Sequence, residues 1–200
     1  MLQHELLVVP GYQGSGPGHW QSWLEGQVPT ARRVDGIDWE QPVLDPWVDA
    51  IVRYLRRPGW PRLIVAHSFG CLASAVAAQR VPEKVAGLFL VAPVDPQRLG
   101  PNGFLRSRSD EDNLANHMPR DPLRRPGTIV CSDNDPWVSP LVAARWAGRW
   151  GLRFTSIGDA GHINIASGFG PWSEALDLLT DIEASALAHA WLGWPANLRA

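Results

Sequence analysis

Short apolar runs recur along the chain, each stopped by glycine, proline or an acidic turn, and segments of helical period lie between them. Leu6-Leu7-Val8-Val9 reads as a buried strand that ends at Pro10-Gly11 and gives way to the glycine-rich loop Tyr12 to Gly18. His19 to Val28 reads as a short helix and Ala31 to Val34 as a weak strand. Pro46 to Arg57 reads as a helix, with Asp45 as its N-cap and Pro46 in the first helical position. A strand through Leu63 leads into an alanine-rich helix that runs to Arg80. Val85 to Val91, Thr128 to Cys131 and Leu152 to Ser156 read as further strands, with a helix over Pro140 to Trp150 between the last two. Gly158 to Gly170 is a loop, and Trp172 to Trp191 is a long amphipathic helix.

Strands separated by helices at this spacing predict an α/β fold with a mostly parallel sheet and helices on both faces. Residues 1–200 form one domain in this reading, without internal repeats or a linker. The proline-rich and charged segment 93–126 is too short for a second domain. It reads as a loop excursion over the strand ends, with one helix near Ser109 to Met118.

Composition narrows the function classes. The formal net charge is -2 and the basic pairs Arg32-Arg33, Arg56-Arg57 and Arg124-Arg125 are dispersed, which leaves no basic face for nucleic acid. The longest apolar run, Val85 to Val94, is about half of a membrane span, and the first residues lack a basic leader. Cys71 and Cys131 have neither metal-ligand spacing nor a disulfide framework, so both read as buried thiols in a reducing cytoplasm. No metal or organic cofactor is implied. Four of the tryptophans, Trp20, Trp39, Trp137 and Trp172, sit in loop-like contexts near the motifs and are candidates to wall a pocket.

The chemistry begins at Ala66-His67-Ser68-Phe69-Gly70, where an apolar run meets a helix at once. That is the strand–turn–helix context of a nucleophile elbow, in which residues two before and two after the serine must be small. The alternative is a serine that only caps the following helix. A second Ser-x-Gly, Ser156-Ile157-Gly158, has bulky Phe154 before it and no helix after it. A nucleophilic serine needs an imidazole to take its proton and a carboxylate to orient that imidazole. Asp133 and Asp135 follow one later strand, and His162 follows another. All three segments therefore converge on the edge of the sheet where the strands end. Asp135, directly before Pro136, is the favoured acid, whereas Asp133 reads as bonding its own turn and Asp159 as a turn former. His67, adjacent to the serine, is a poor base, and His19 has either a pocket role or a structural one. The oxyanion donors expected are the backbone N–H groups of Phe69 and of Tyr12.

Val9-Pro10-Gly11 with Gly18-His19-Trp20, then Ala66 to Gly70, Ser132 to Pro136, and Gly161-His162-Ile163-Asn164 with Gly170-Pro171-Trp172 together resemble one family. It is the small serine hydrolase family of compact α/β-hydrolases that includes retinoblastoma-binding protein nine. The resemblance runs from about residue 5 to about residue 190. It implies a minimal α/β-hydrolase fold without a large lid domain, a triad of Ser68, Asp135 and His162, and hydrolysis of small esters or amides. The Leu-x-Cys-x-Glu partner motif of the family's namesake has no counterpart around Cys71 or Cys131. The resulting expectation is a carboxylesterase on small or medium acyl esters. A peptidase or amidase on the same triad and a non-catalytic interaction module on a hydrolase scaffold are the alternatives.

Overall fold

In the computed structural model residues 2–105 and 112–193 are described, with side chains as far as residue 189. In chain order the elements are β1 (Leu6–Val9), α1 (Trp20–Gln27), β2 (Ala31–Arg33), α2 (Leu44–Leu55), β3 (Arg62–His67), α3 (Phe69–Arg80) and β4 (Val85–Val91). The hairpin β5 (Leu99–Gly100) and β6 (Gly103–Phe104) follows. The chain then continues through β7 (Gly127–Cys131), α4 (Pro140–Trp150), β8 (Arg153–Ser156) and α5 (Glu174–Gly193). Six strands form one sheet in the order β2-β1-β3-β4-β7-β8, and every pairing in it is parallel.

The period-2 alternation of the strands divides the core in two. Leu7, Val9, Ile64, Ala66, Leu88 and Leu90 face α2, α3 and α4. Leu6, Val8, Leu63, Val65, Phe89 and Val91 face α1 and α5. Residues 69–78 of α3 are all buried, because this helix lies between the sheet and α2. Small alanines there let both neighbours approach, and a helix apolar all round belongs inside.

The strand order reverses direction between β1 and β3: the chain leaves β1 for one side of the sheet, then returns to β1's other side as β3. Connections diverge at such a point and open a crevice beyond the strands' carboxyl ends. Gln21 on α1 ties this point together. Its amide donates to the carbonyl oxygens of Val9, at 3.2 Å, and Val65, at 3.0 Å, and accepts from Ser15 Oγ at 2.6 Å.

Three local expectations are corrected. Helix α2 starts at Leu44, and its N-cap position is Val43, which makes no side-chain cap. Leu44 N–H donates to the Pro101 carbonyl, and Leu44 is buried, so a tertiary contact extends the helix past Asp45. Asp45 instead pairs with Arg80 at 3.1 Å. The helix expected near Ser109 to Met118 falls partly on residues outside the described ones, and Leu114–Asn116 forms only a single 3-10 turn. The 93–126 segment also contains the small antiparallel hairpin β5–β6.

Because the Gln21 amide is buried with both functions used, Gln21→Leu strands the Ser15 hydroxyl and two strand carbonyls. The expected loss is about 3 kcal/mol at unchanged m-value in urea unfolding. A change below about 0.5 kcal/mol would show that Gln21 does not hold the crevice.

Candidate active site

Ser68 stands where β3 passes into α3, at φ 52° and ψ -124°. A non-glycine residue at positive φ is strained, and such strain persists only where the surroundings over-determine it. Gly70 and Gly11 do that. A Cβ on Gly70 would strike the Pro10 carbonyl oxygen and lie 2.7 Å from that of Val9, and one on Gly11 would lie 2.7 Å from Ser68 Cβ. The end of β1 therefore presses directly on the elbow, and Ser68 N–H donates to Val91 O at 3.0 Å. Ser68 occupies the N-cap position of α3, yet its hydroxyl makes no cap bond. It meets His162 Nε2 at 2.9 Å instead.

His162 Nδ1 lies 3.0 and 2.9 Å from Asp135 Oδ1 and Oδ2. The Asp135 side chain is fully buried, and the Trp137 N–H also donates to its Oδ1, at 2.8 Å. The three sequence-selected residues are thus joined in one hydrogen-bonded chain. The competing aspartate is turned away: Asp133 accepts from Ser156 Oγ at 2.5 Å, across to the end of β8 rather than within its own turn. Asp159 is exposed in the following bend.

Several positioning contacts escaped the sequence reading. His162 is held at both ends of its backbone. Its N–H donates to Ser167 Oγ at 3.1 Å, and its carbonyl accepts from His67 Nε2 at 2.9 Å. The acid turn and the histidine loop are laced together by Ser132 and Asn134. Ser132 Oγ accepts the Ala160 N–H at 2.8 Å, and Asn134 Oδ1 accepts the Gly161 N–H at 2.7 Å. Gly161, at φ 55°, has no room for a side chain beside Ser167. The only signal for these bonds in the sequence was that both loops end neighbouring strands.

Three imidazoles line up at the site. His67 packs against His19 and against His162 with ring centroids 4.9 Å apart in each case. Burial is the main cause that holds His67 neutral, and repulsion from any proton on the adjacent His162 or His19 ring works in the same direction. Burial, with Arg33 and His162 adding, lowers the His19 pKa to about 4. The thiols are inert by the same cause: burial pushes Cys71 up, and Cys131 up to about 11.

A cavity of about 390 Å³ opens over Ser68 and His162. Tyr12, Phe104, Trp137 and Ile165 wall it, and among the described residues lining it there is no Arg, Lys, Asp or Glu. Trp137 is the one of the four candidate tryptophans in this wall. Trp20 and Trp172 pack edge to face at 5.4 Å in the core, and Trp39 packs on Trp47 at 5.1 Å. Phe104 was invisible as a wall residue, because the hairpin that carries it has no hydrophobic pattern. The Arg98 guanidinium anchors that hairpin to the acid turn, donating to Pro136 O at 2.6 Å and lying over the Trp137 ring.

A buried histidine whose folded pKa lies below its unfolded value of about 6.5 binds fewer protons folded than unfolded as pH falls. No penalty exists above that value; it grows as pH falls from about 6.5 and is complete only below about 4. For His19 the loss by pH 5 is about 2 kcal/mol. Melting temperature should therefore fall between pH 7 and pH 5, and the fall should be shallower in His19→Asn. Equal slopes in the two proteins would contradict the neutral, buried state of His19.

Residues 6–181 match the model of the serine hydrolase family. The crystal structure of a YdeN-like hydrolase from Pectobacterium atrosepticum superimposes with a TM-score of 0.78 at 35% identity, over 90% of this chain and 91% of that one. The hydrolase YdeN of Bacillus subtilis is 28% identical over 80 residues, a match that spans 36% of this chain and only 40% of YdeN. The crystal structure of the ydeN gene product shares the fold at a TM-score of 0.69 and 19% identity, over 91% of this chain and 100% of that one. No helix among the described residues is long and apolar enough to cross a membrane. Since the family model takes in nearly the whole chain, and the Pectobacterium relative is covered along nine-tenths of its length, the chain belongs to the serine hydrolase family, on an α/β-hydrolase fold.

Proposed function

We propose that this hydrolase is a carboxylesterase acting on small to medium, uncharged acyl esters through an acyl-enzyme. The observation that carries the reading is the chain of short contacts from Ser68 Oγ through His162 to the buried Asp135. Ser68 Oγ attacks the ester carbonyl carbon as its proton passes to His162 Nε2. Asp135 keeps Nδ1 protonated and stabilises the imidazolium that forms. The negative charge gathers on the former carbonyl oxygen. The N–H groups of Tyr12 and Phe69 receive it, and neither has a protein acceptor among the described residues. Each such donor contributes about 3 kcal/mol in the transition state. The C–O bond to the alcohol then breaks, and His162 returns its proton to the leaving oxygen. Water repeats the sequence in reverse to free the acid and Ser68.

The walls of the cavity support this substrate class. A peptide amino terminus or an acyl carboxylate entering a pocket that offers no charged partner among the described residues loses its hydration uncompensated, at a cost of several kcal/mol. A neutral apolar acyl group loses nothing there and gains by burial against the aromatic wall.

Matched p-nitrophenyl esters and p-nitroanilides test this directly. Neutral butyryl and hexanoyl esters should be turned over, the matching anilides at least about a hundredfold more slowly, and a succinyl half-ester poorly. Ser68→Ala should lower kcat on the order of 10⁴- to 10⁶-fold. Anilides or succinyl half-esters turned over as fast as the neutral esters would contradict the carboxylesterase reading. Full turnover by Ser68→Ala would remove its nucleophile.

A further inference from the structure

His19 caps α1 with only half of its ring. Nδ1 accepts the Gln21 N–H at 3.1 Å, so the proton of the neutral ring sits on Nε2. That N–H has no hydrogen-bond partner among the described residues, but it is not sealed in. The buried side-chain polar atoms without partners are Ser74 Oγ and Thr128 Oγ1 alone among those residues. His19 is 4% exposed and is one of the residues that line the cavity containing Ser68 and His162.

Histidine is also an unusual choice for the cap. Serine, threonine, aspartate and asparagine serve an N-cap better because their short side chains end at the helix. A histidine caps with one nitrogen and carries a second polar atom further. Here the ring is held edge-on by His67 and tilted against Trp20, with ring centroids at 4.9 and 5.6 Å, which fixes the direction of its free N–H. A fixed, uncharged donor in a pocket whose wall is otherwise largely apolar recognises an uncharged acceptor, and it is left unpaired when the bound molecule has none there.

We propose that His19 is a substrate-binding residue: its Nε2–H donates a hydrogen bond to an oxygen of the ester bound over Ser68. The inference rests on the ester-hydrolase reading and adds to it a polar contact from the 11–19 loop, separate from the triad and from the two backbone oxyanion donors.

His19→Asn separates the two duties of this side chain. Asparagine Oδ1 can keep the cap to Gln21, but it cannot place a donor where Nε2 lies. The variant should melt within a few degrees of wild type at pH 7.5. A fluorophosphonate should label its Ser68 within threefold of the wild-type rate, and its kcat/KM on p-nitrophenyl butyrate should fall about ten- to thirtyfold. His19→Ser, which also caps and also lacks the reach, should show the same loss, so a folding defect in one variant leaves the other to decide. Unchanged kcat/KM in a well-folded variant would overturn the proposal. So would equal falls in labelling and turnover, because His19 would then act through His67 on the triad. A wild-type protein that neither labels nor turns over the ester would instead overturn the esterase reading beneath it.

Discussion

Everything at this site depends on one steric constraint, the pressing of the end of β1 against the turn that holds Ser68. No side chain fits at Gly70 beneath the carbonyls of Val9 and Pro10, and none at Gly11 beside Ser68 Cβ. With both glycines in place, β1 runs beside β3 up to the Val9–Ala66 pair, directly before the turn. Holding a serine at positive φ costs on the order of 1–3 kcal/mol. The buried strand before it and the buried helix after it offset that cost, since neither can move to relax the turn. The same closeness brings the loop that carries Tyr12 beside the N-terminus of α3, where backbone N–H groups point outward. Four of the five non-glycine residues at positive φ among those described, Gln13, Ser68, Ala92 and Ile163, lie at this edge of the sheet.

The electrostatic arrangement is equally spare. One carboxylate, Asp135, is taken fully out of water, which is tolerable only because His162 and the Trp137 N–H face it. The loops bearing the acid and the histidine follow β7 and β8, which are neighbours in the sheet, and Ser132 and Asn134 bind one loop to the other. The geometry of the Asp135–His162 pair is thus inherited from strand pairing. The described residues that line the pocket around it include no Arg, Lys, Asp or Glu, and His19 and His67 are kept neutral by burial. In the proposed mechanism an imidazolium forming on His162 meets the Asp135 carboxylate and no competing positive charge at His67.

How much of this was legible follows from what each feature depends on. Strands and helices that bury a face announced themselves by period, and α4, over Pro140–Trp150, matches its expectation residue for residue. Ser68 was legible because its constraint is local: small residues two before and two after, and a helix at once. The choice of Asp135 over Asp133 rested on where the chain leaves the sheet edge, and Asp135 is the one found against His162. Contacts between residues distant in sequence left no such trace. The start of α2 is set by a carbonyl some 57 positions away at Pro101. The pairing of Gln21 with two strand ends, the hold of His67 on the His162 carbonyl and the place of Phe104 in the wall have the same origin. Tryptophan near a motif was a poor guide to the pocket, because Trp20 and Trp172 pack against each other beneath it.

The central claim is that Ser68 is a nucleophile activated by His162 and Asp135. It is tested most directly by intact-mass analysis of the folded protein after exposure to a fluorophosphonate, followed by peptide mapping, with His162→Gln in parallel. The account predicts one adduct per chain, carried by Ser68 itself, and a labelling rate that collapses in the variant. No adduct on well-folded wild type, or an adduct on Ser68 that forms equally fast without His162, would contradict it.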